Sequence, residues 1–348
     1  MKAIFFCGDR SPYGLAHVQP LLDSSFEIIA VVAATDKRWK TFRTALQGDS
    51  QDYSHLASRL TFAHRLRRVA RRIRQRIFGK GQESVSQLEK MCGDKRILHC
   101  DDVNSDSLCT TWSELNPDLV ISAAYPQIFS ADLLSVPSVD SINFHPSALP
   151  KYRGAHPHYW AIREGATTTG VTAHRMTPEL DAGAIIAQRT FQCADLTYSE
   201  LYDRIVDETP HLVEDVESFY IEGAGKAHKQ KESEVSYYRN DRTIHSRIFW
   251  DRFSHREICN LVRTEKAFCF VGRRKVRIVE ADFTSDNRNM TNEISVPPGA
   301  IVDISSEGVV VHAKEGFVVI RSARCQGKVL RPLEFAKNLH LGIGEVLN

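Results

Sequence analysis

Ser141-Ile142-Asn143-Phe144-His145-Pro146-Ser147-Ala148-Leu149-Pro150-Lys151-Tyr152-Arg153-Gly154, followed later by Glu179-Leu180-Asp181-Ala182-Gly183, decides how the chain is read. The small and apolar residues before Asn143 suggest a strand. On a strand, Asn143 and His145 leave the same face and Phe144 points the other way. Asp181 arrives from a separate loop. An amide, an imidazole and a carboxylate then meet the needs of acyl transfer to an amine. Negative charge growing on the carbonyl oxygen requires a fixed donor, and the attacking nitrogen must give up a proton. Asn143 and a protonated His145 are expected to donate, with Asp181 orienting His145, raising its pKa and accepting the amine proton directly or through water. Taken singly, the three have ordinary roles as a strand cap, a loop histidine and an Asx-turn residue. Their spacing together points to chemistry.

The first half of the chain alternates strand and helix signals. Strands are expected at Ala3–Cys7, Phe26–Ala34, Arg96–Cys100, Leu119–Ala124 and Asp140–Phe144, then at Gly170–Met176 and Ala184–Phe191 around the Asp181 loop. Helices are expected at Leu15–Leu22, Asp106–Leu115, Ala155–Glu164 and Tyr198–Ile221. Asn143 and His145 therefore fall at the carboxyl end of a strand, where open α/β sheets bind ligands. No G-x-G-x-x-G or P-loop lysine is present, so neither NAD nor ATP is assigned. A composition shift at Gly223–Lys231 reads as a small, basic linker with little to bury. After it, a helix at Ile258–Val262 and five short strands suggest a small barrel.

The stretch from Ser141 to Gln188, with Asn-x-His-Pro-Ser, Leu-Pro, Arg-Gly and Leu-Asp-x-Gly in order, resembles the core of formyltransferases that use 10-formyltetrahydrofolate. That group includes glycinamide ribonucleotide transformylase, methionyl-tRNA formyltransferase and amino-sugar N-formyltransferases. Arg247-Ile248-Phe249-Trp250, Glu257–Arg263 and the ending Leu333 to Leu347 resemble the carboxyl-terminal domain of the tRNA and amino-sugar enzymes. The resemblance implies an α/β fold, a Rossmann-like formyltransferase domain (1–222) followed by a linker (223–240) and a smaller OB-like β-barrel (241–348). It implies Asn143, His145 and Asp181 as the catalytic set. It also implies a folate pocket against the backbone of Ala124–Ile128 and the loop before Asp181, with Tyr125, Pro126, Gln127 and Ile128 as candidate contacts, although ordinary packing explains the side chains of Tyr125 and Ile128 equally well. Lys151, Arg153 and His156 are candidate substrate residues, with surface solvation as the other role for the first two. One departure is informative. After Leu261-Val262-Arg263 the chain lacks the Pro-x-Pro-Gly segment usual in the tRNA enzymes. The expected acceptor is thus the primary amine of a small metabolite, an amino sugar on a nucleotide or a secondary-metabolite amine, with methionyl-tRNA as the alternative. A non-catalytic binding protein on the same fold is an alternative of another class, and a hydrolase releasing formate from the same folate is a third.

Residues 37–94 depart from the compact family pattern. Arg59, Arg65, Arg67, Arg68, Arg71, Arg72, Arg74, Arg76 and Lys80 accumulate around Leu66, Val69, Ala70, Ile73 and Ile77 at helical spacing. A basic helix over 59–80 is expected, either as a solvated face docked on its own domain or as a surface for phosphates, tRNA among them. The whole chain is close to neutral, with a formal net charge of +2, so it is not a general polycation. Its 8 cysteines form no Cys-x-x-Cys pair and suggest a reduced, cytoplasmic setting. His156 and His158 lack further ligands nearby, so no metal is expected. No stretch approaches a transmembrane span. Nothing in the sequence fixes the oligomeric state.

Overall fold

The computed structural model describes residues 1–35, 37–38, 87–238, 243–284 and 296–348. The expected basic helix 59–80 lies outside them. The described chain forms two compact units. One contains Met1–Ala155, Gly170–Phe191 and Tyr202–Asn240, and the other His156–Thr169, Gln192–Leu201 and Asp241–Asn348.

The first unit is built on β1 (Lys2–Cys7), β2 (Glu27–Ala34), β3 (Ile97–Cys100), β4 (Leu119–Ala123), β5 (Asp140–His145), the short β6 (Arg153–Gly154), β7 (Thr168–Arg175), β8 (Ile185–Gln192) and the short β9 (Tyr237–Tyr238). Seven of them form a sheet in the order β3-β2-β1-β4-β5-β7-β8. The pairs from β3 to β5 are parallel, and β7 runs antiparallel to β5. The sheet is Rossmann-like. Ala3–Cys7 and Leu119–Ala123 are almost wholly buried apart from the edge of Ser122, which is why they read as unbroken small and apolar runs rather than as an alternation. The indole of Trp112, on the helix Asp106–Glu114, packs edge-on against Phe6 at 5.6 Å.

Two expected helices are each divided in two. Leu15–Leu22 is replaced by Pro12–Ala16 and Val18–Asp23, because Pro20 has no N–H to return to the Ala16 carbonyl. Tyr198–Ile221 is replaced by Tyr198–Asp207 and Thr209–Ile221, with Pro210 in the first turn of the second helix. The stretch after Gly223 has more to bury than its composition suggests. Gln230 is buried, His228 bridges to Ile185, and Tyr237 and Tyr238 pair with Arg153 and Gly154 as β9 on β6.

The second unit carries β10 (Phe268–Val271), β11 (Arg274–Thr284), β12 (Ile301–Ile304), β13 (Val309–His312), β14 (Phe317–Cys325) and β15 (Lys328–Leu330). They form an antiparallel, OB-like half-barrel in the order β10-β11-β14-β13-β12, with β15 on β14. Its core holds Ile248, Trp250, Ile258, Leu261, Val276, Ile278, Val311, Ile320 and Phe335. The helix His255–Arg263 starts at a reciprocal cap between Ser254 and Glu257. β15 and the helix Pro332–Leu339 were not expected.

Candidate active site

The strand register builds the site. Asn143 on β5 stands directly opposite His174 on β7, and His145 opposite Thr172. Alternation sends Phe144 to the other face, where its ring meets that of His17 at 4.5 Å. The Asn143 amide nitrogen lies 3.3 Å from His174 Nε2. His174 Nδ1 lies 2.8 Å from the Arg175 carbonyl, which can only accept, so Nδ1 carries a proton.

Asp181 comes from the β7–β8 loop and is 8 % exposed; His145 is 5 % exposed. Its Oδ2 lies 3.6 Å from His145 Nδ1, its Oδ1 lies 3.6 Å from His174 Nε2, and the Gly154 N–H donates to Oδ2 at 2.8 Å. This orientation depends on a left-handed backbone at Asp181, φ +55°. Burial alone would raise the Asp181 carboxyl, but the imidazoles of His145 and His174 and the Gly154 N–H overcome it and hold the pKa well below the ordinary range. The expected trio is thus brought together. His174 joins it, and sequence reasoning passed over it: the available signal was a lone histidine within the apolar strand shortly before Asp181.

Opposing effects act on the charge of His145. Burial pushes its pKa below the ordinary imidazole value; Asp181 pulls it back up, His174 adds to the lowering, and the bond to the Tyr152 carbonyl restores part. The net direction is down. His145 Nε2 donates to the Tyr152 carbonyl at 3.0 Å, and Nδ1 faces Asp181.

The remaining candidates are placed differently. Ala123 pairs with Phe144, so the loop beginning at Ala124, itself at φ +52°, leaves β4 beside the end of β5. The side chains of that loop turn elsewhere. Tyr125 packs on Phe6 and Phe129 with its hydroxyl 3.2 Å from Cys100 Sγ, and Gln127 bonds to Asp102. Pro126 is buried and Ile128 is 64 % exposed. Lys151 is exposed. Arg153 is 3 % exposed and engaged with Gln230, Glu232 and Glu179, so the surface role does not hold for it. His156 belongs to the second unit, at the start of the helix Pro157–Arg163, with its ring 6.2 Å from that of His158. Among the described residues no cluster of His, Cys, Asp or Glu is arranged to hold a metal ion, and no helix is long and apolar enough to cross a membrane. All 8 cysteines are free thiols.

Comparison with known proteins agrees with this geometry. Residues 1–216 match the formyl transferase family, and residues 242–340 match the formyl transferase C-terminal domain. The methionyl-tRNA formyltransferase of Malacoplasma penetrans is 28 % identical over 259 residues, 72 % of this chain and 78 % of that protein. The Clostridium tetani methionyl-tRNA formyltransferase is 30 % identical over 220 residues, 62 % of this chain and 69 % of that one. Among solved structures, the sugar 3N-formyl transferase WlaRD superposes with a TM-score of 0.57 at 18 % identity, covering 94 % of this chain and 99 % of that chain. The Helicobacter canadensis N-formyltransferase, also at a TM-score of 0.57, is 16 % identical over 92 % of this chain and 98 % of that one. These two likenesses concern the fold. With both of its parts matched in order, the chain belongs to the formyl transferase family and is a formyltransferase.

Proposed function

We propose that the protein moves a formyl group from 10-formyltetrahydrofolate to the primary amine of a small metabolite, an amino sugar on a nucleotide or an amine of secondary metabolism. The observation that carries the chemistry is the buried Asp181, held ionised between His145 and His174 next to a strand-borne Asn143. The donor supplies a formyl group on nitrogen. The Asn143 amide, set beside His174, donates to the carbonyl oxygen as charge develops there. His145, in its neutral form, takes the proton of the attacking amine at Nδ1, and Asp181 beside that atom stabilises the resulting imidazolium. No covalent enzyme intermediate is required. The C–N bond to the acceptor forms, the bond to the donor nitrogen breaks, and that nitrogen regains a proton to leave tetrahydrofolate and a formamide.

The pterin is assigned to the backbone of Ala124–Ile128, where the side chains of Tyr125 and Gln127 are engaged elsewhere, and Lys151 is assigned to acidic groups of donor or acceptor. Residues 1–222 and 241–348 are the two functional domains of this reading, and the reduced cysteines favour the cytoplasm. A small acceptor is favoured by the sequence after Arg263, which lacks the Pro-x-Pro-Gly segment. Methionyl-tRNA is the second reading. It is favoured by the names of the relatives at 28 % and 30 % identity and by one face of the half-barrel, where Arg277 stands opposite Arg324 across β11 and β14 and Lys275 lies 3.9 Å over the Phe268 ring.

Incubating the protein with 10-formyltetrahydrofolate and either nucleotide-linked amino sugars or methionyl-tRNA, with tetrahydrofolate release and product mass followed, separates them. Formyl gain on a sugar amine is expected. Gain on methionyl-tRNA alone moves the assignment to the second reading.

A further inference from the structure

We propose that Gln230, in the segment that follows the last helix of the first unit, is a positioning residue of the active site, acting with Arg153 as a clamp on the loop that carries Asp181. The inference rests on the formyl-transfer reading of that site.

Gln230 is 8 % exposed, and every polar atom of its side chain is used. Its amide nitrogen donates to the Asp181 carbonyl at 2.7 Å and to the Gly183 carbonyl at 2.8 Å, on both sides of Ala182. Its amide oxygen accepts from Arg153 Nε at 3.0 Å and from Nη2 at 2.9 Å. A glutamine donates with one end and accepts with the other, so this side chain meets two carbonyls and a guanidinium without leaving a group unpaired. The contacts fall where the backbone needs support. Asp181 holds φ +55°, which a non-glycine residue keeps only when its surroundings impose it. Two bonds to the flanking carbonyls supply that constraint, and the carboxylate orientation toward His145 and His174 depends on it.

The other half of the clamp reaches His145. Arg153 N donates to the Ser236 carbonyl at 2.9 Å, Tyr152 N donates to Ser236 Oγ at 2.9 Å, and Arg153 and Gly154 pair with Tyr237 and Tyr238. The Tyr152 ring stacks on that of Tyr238 with centroids 5.7 Å apart. The Tyr152 carbonyl receives the His145 Nε2 proton, and the Gly154 N–H binds Asp181. Residues 228–238 therefore brace both partners of the His145–Asp181 pair from behind.

The test combines Gln230→Ala and Gln230→Glu with the native chain and with Asp181→Asn. The first readout is the NMR titration of His145, which is faced by Asp181, His174 and the Tyr152 carbonyl; the second is kcat and KM for formyl transfer. In the native background Gln230→Ala should lower the His145 midpoint, as the carboxylate loses its fixed orientation, and either substitution should reduce kcat by about tenfold or more with donor KM within about twofold. Gln230→Glu still accepts from Arg153 but cannot donate to the loop carbonyls, so it should fail to rescue. In the Asp181→Asn background Gln230→Ala should leave the His145 midpoint unmoved and cost less than about twofold further in kcat. Equal losses in both backgrounds, rescue by Gln230→Glu, or an unmoved midpoint in the native background would overturn the proposal. If the native chain transfers no formyl group, the functional reading fails, while the His145 midpoint still decides the role of Gln230.

Discussion

At the residue scale, the site turns on how two imidazoles share one carboxylate. Asp181 must remain ionised in a buried position, and it does so because His145, His174 and the Gly154 N–H face it. His145 in turn is lowered by burial more than Asp181 raises it. Its midpoint should fall below the ordinary 6.5 in an NMR titration, and Asp181→Asn should move it further down. A midpoint above 6.5 would reverse the assignment of a neutral base. Asn143, His145 and Asp181 were legible in the sequence because their spacing is local enough to read as a pattern. His174 was not, since it matters only through the β5–β7 register that sets it across from Asn143. Proximity to Asp181 can be inferred from the sequence, whereas the degree of burial that pushes the His145 pKa down cannot.

At the scale of elements, the parallel strands announced themselves as apolar runs, and their predicted bounds differ from the observed ones by one or two residues. Helices containing Pro20 and Pro210 were drawn too long because apolar spacing continued across residues that cannot continue the hydrogen bonding. The two-residue pair β6–β9 was invisible, since neither segment is long enough to show a period. Yet it is demanding. Gly154 has φ +99°, and a Cβ there would lie 2.1 Å from the Tyr238 carbonyl oxygen. Gly154→Ala should therefore cost roughly 2 kcal/mol or more in denaturant unfolding and depress formyl transfer by separating the Gly154 N–H from Asp181. Native stability and turnover in that variant would remove β6–β9 from the account.

At the scale of the whole molecule, a buried histidine outside the catalytic set ties folding to pH. His17 is enclosed by Tyr13 and Phe144, and its Nδ1 lies 2.7 Å from the Tyr13 carbonyl. Burial lowers its pKa to about 3, against the modest opposing effect of that bond. Between the unfolded value of 6.5 and about 3 the unfolded chain binds a proton that the folded chain refuses. Stability should consequently fall as pH drops below 6.5, with the His17 contribution exhausted near 3. Denaturant midpoints measured across that window should decline less steeply in His17→Phe, and an unchanged slope would assign the acid sensitivity elsewhere. The division into an α/β part and a half-barrel was readable from strand length and connection alone. The acceptor was not, because substrate choice depends on loop surfaces whose chemistry carries no periodic signal.

Asn143 provides the most direct measurement of the central claim. With a formyl-labelled 10-formyltetrahydrofolate and an acceptor panel, label transfer under single-turnover conditions should proceed with the native chain and slow by about 10²- to 10³-fold in Asn143→Ala, while thermal unfolding stays nearly constant. Transfer at the native rate by a folded Asn143→Ala protein would contradict the account.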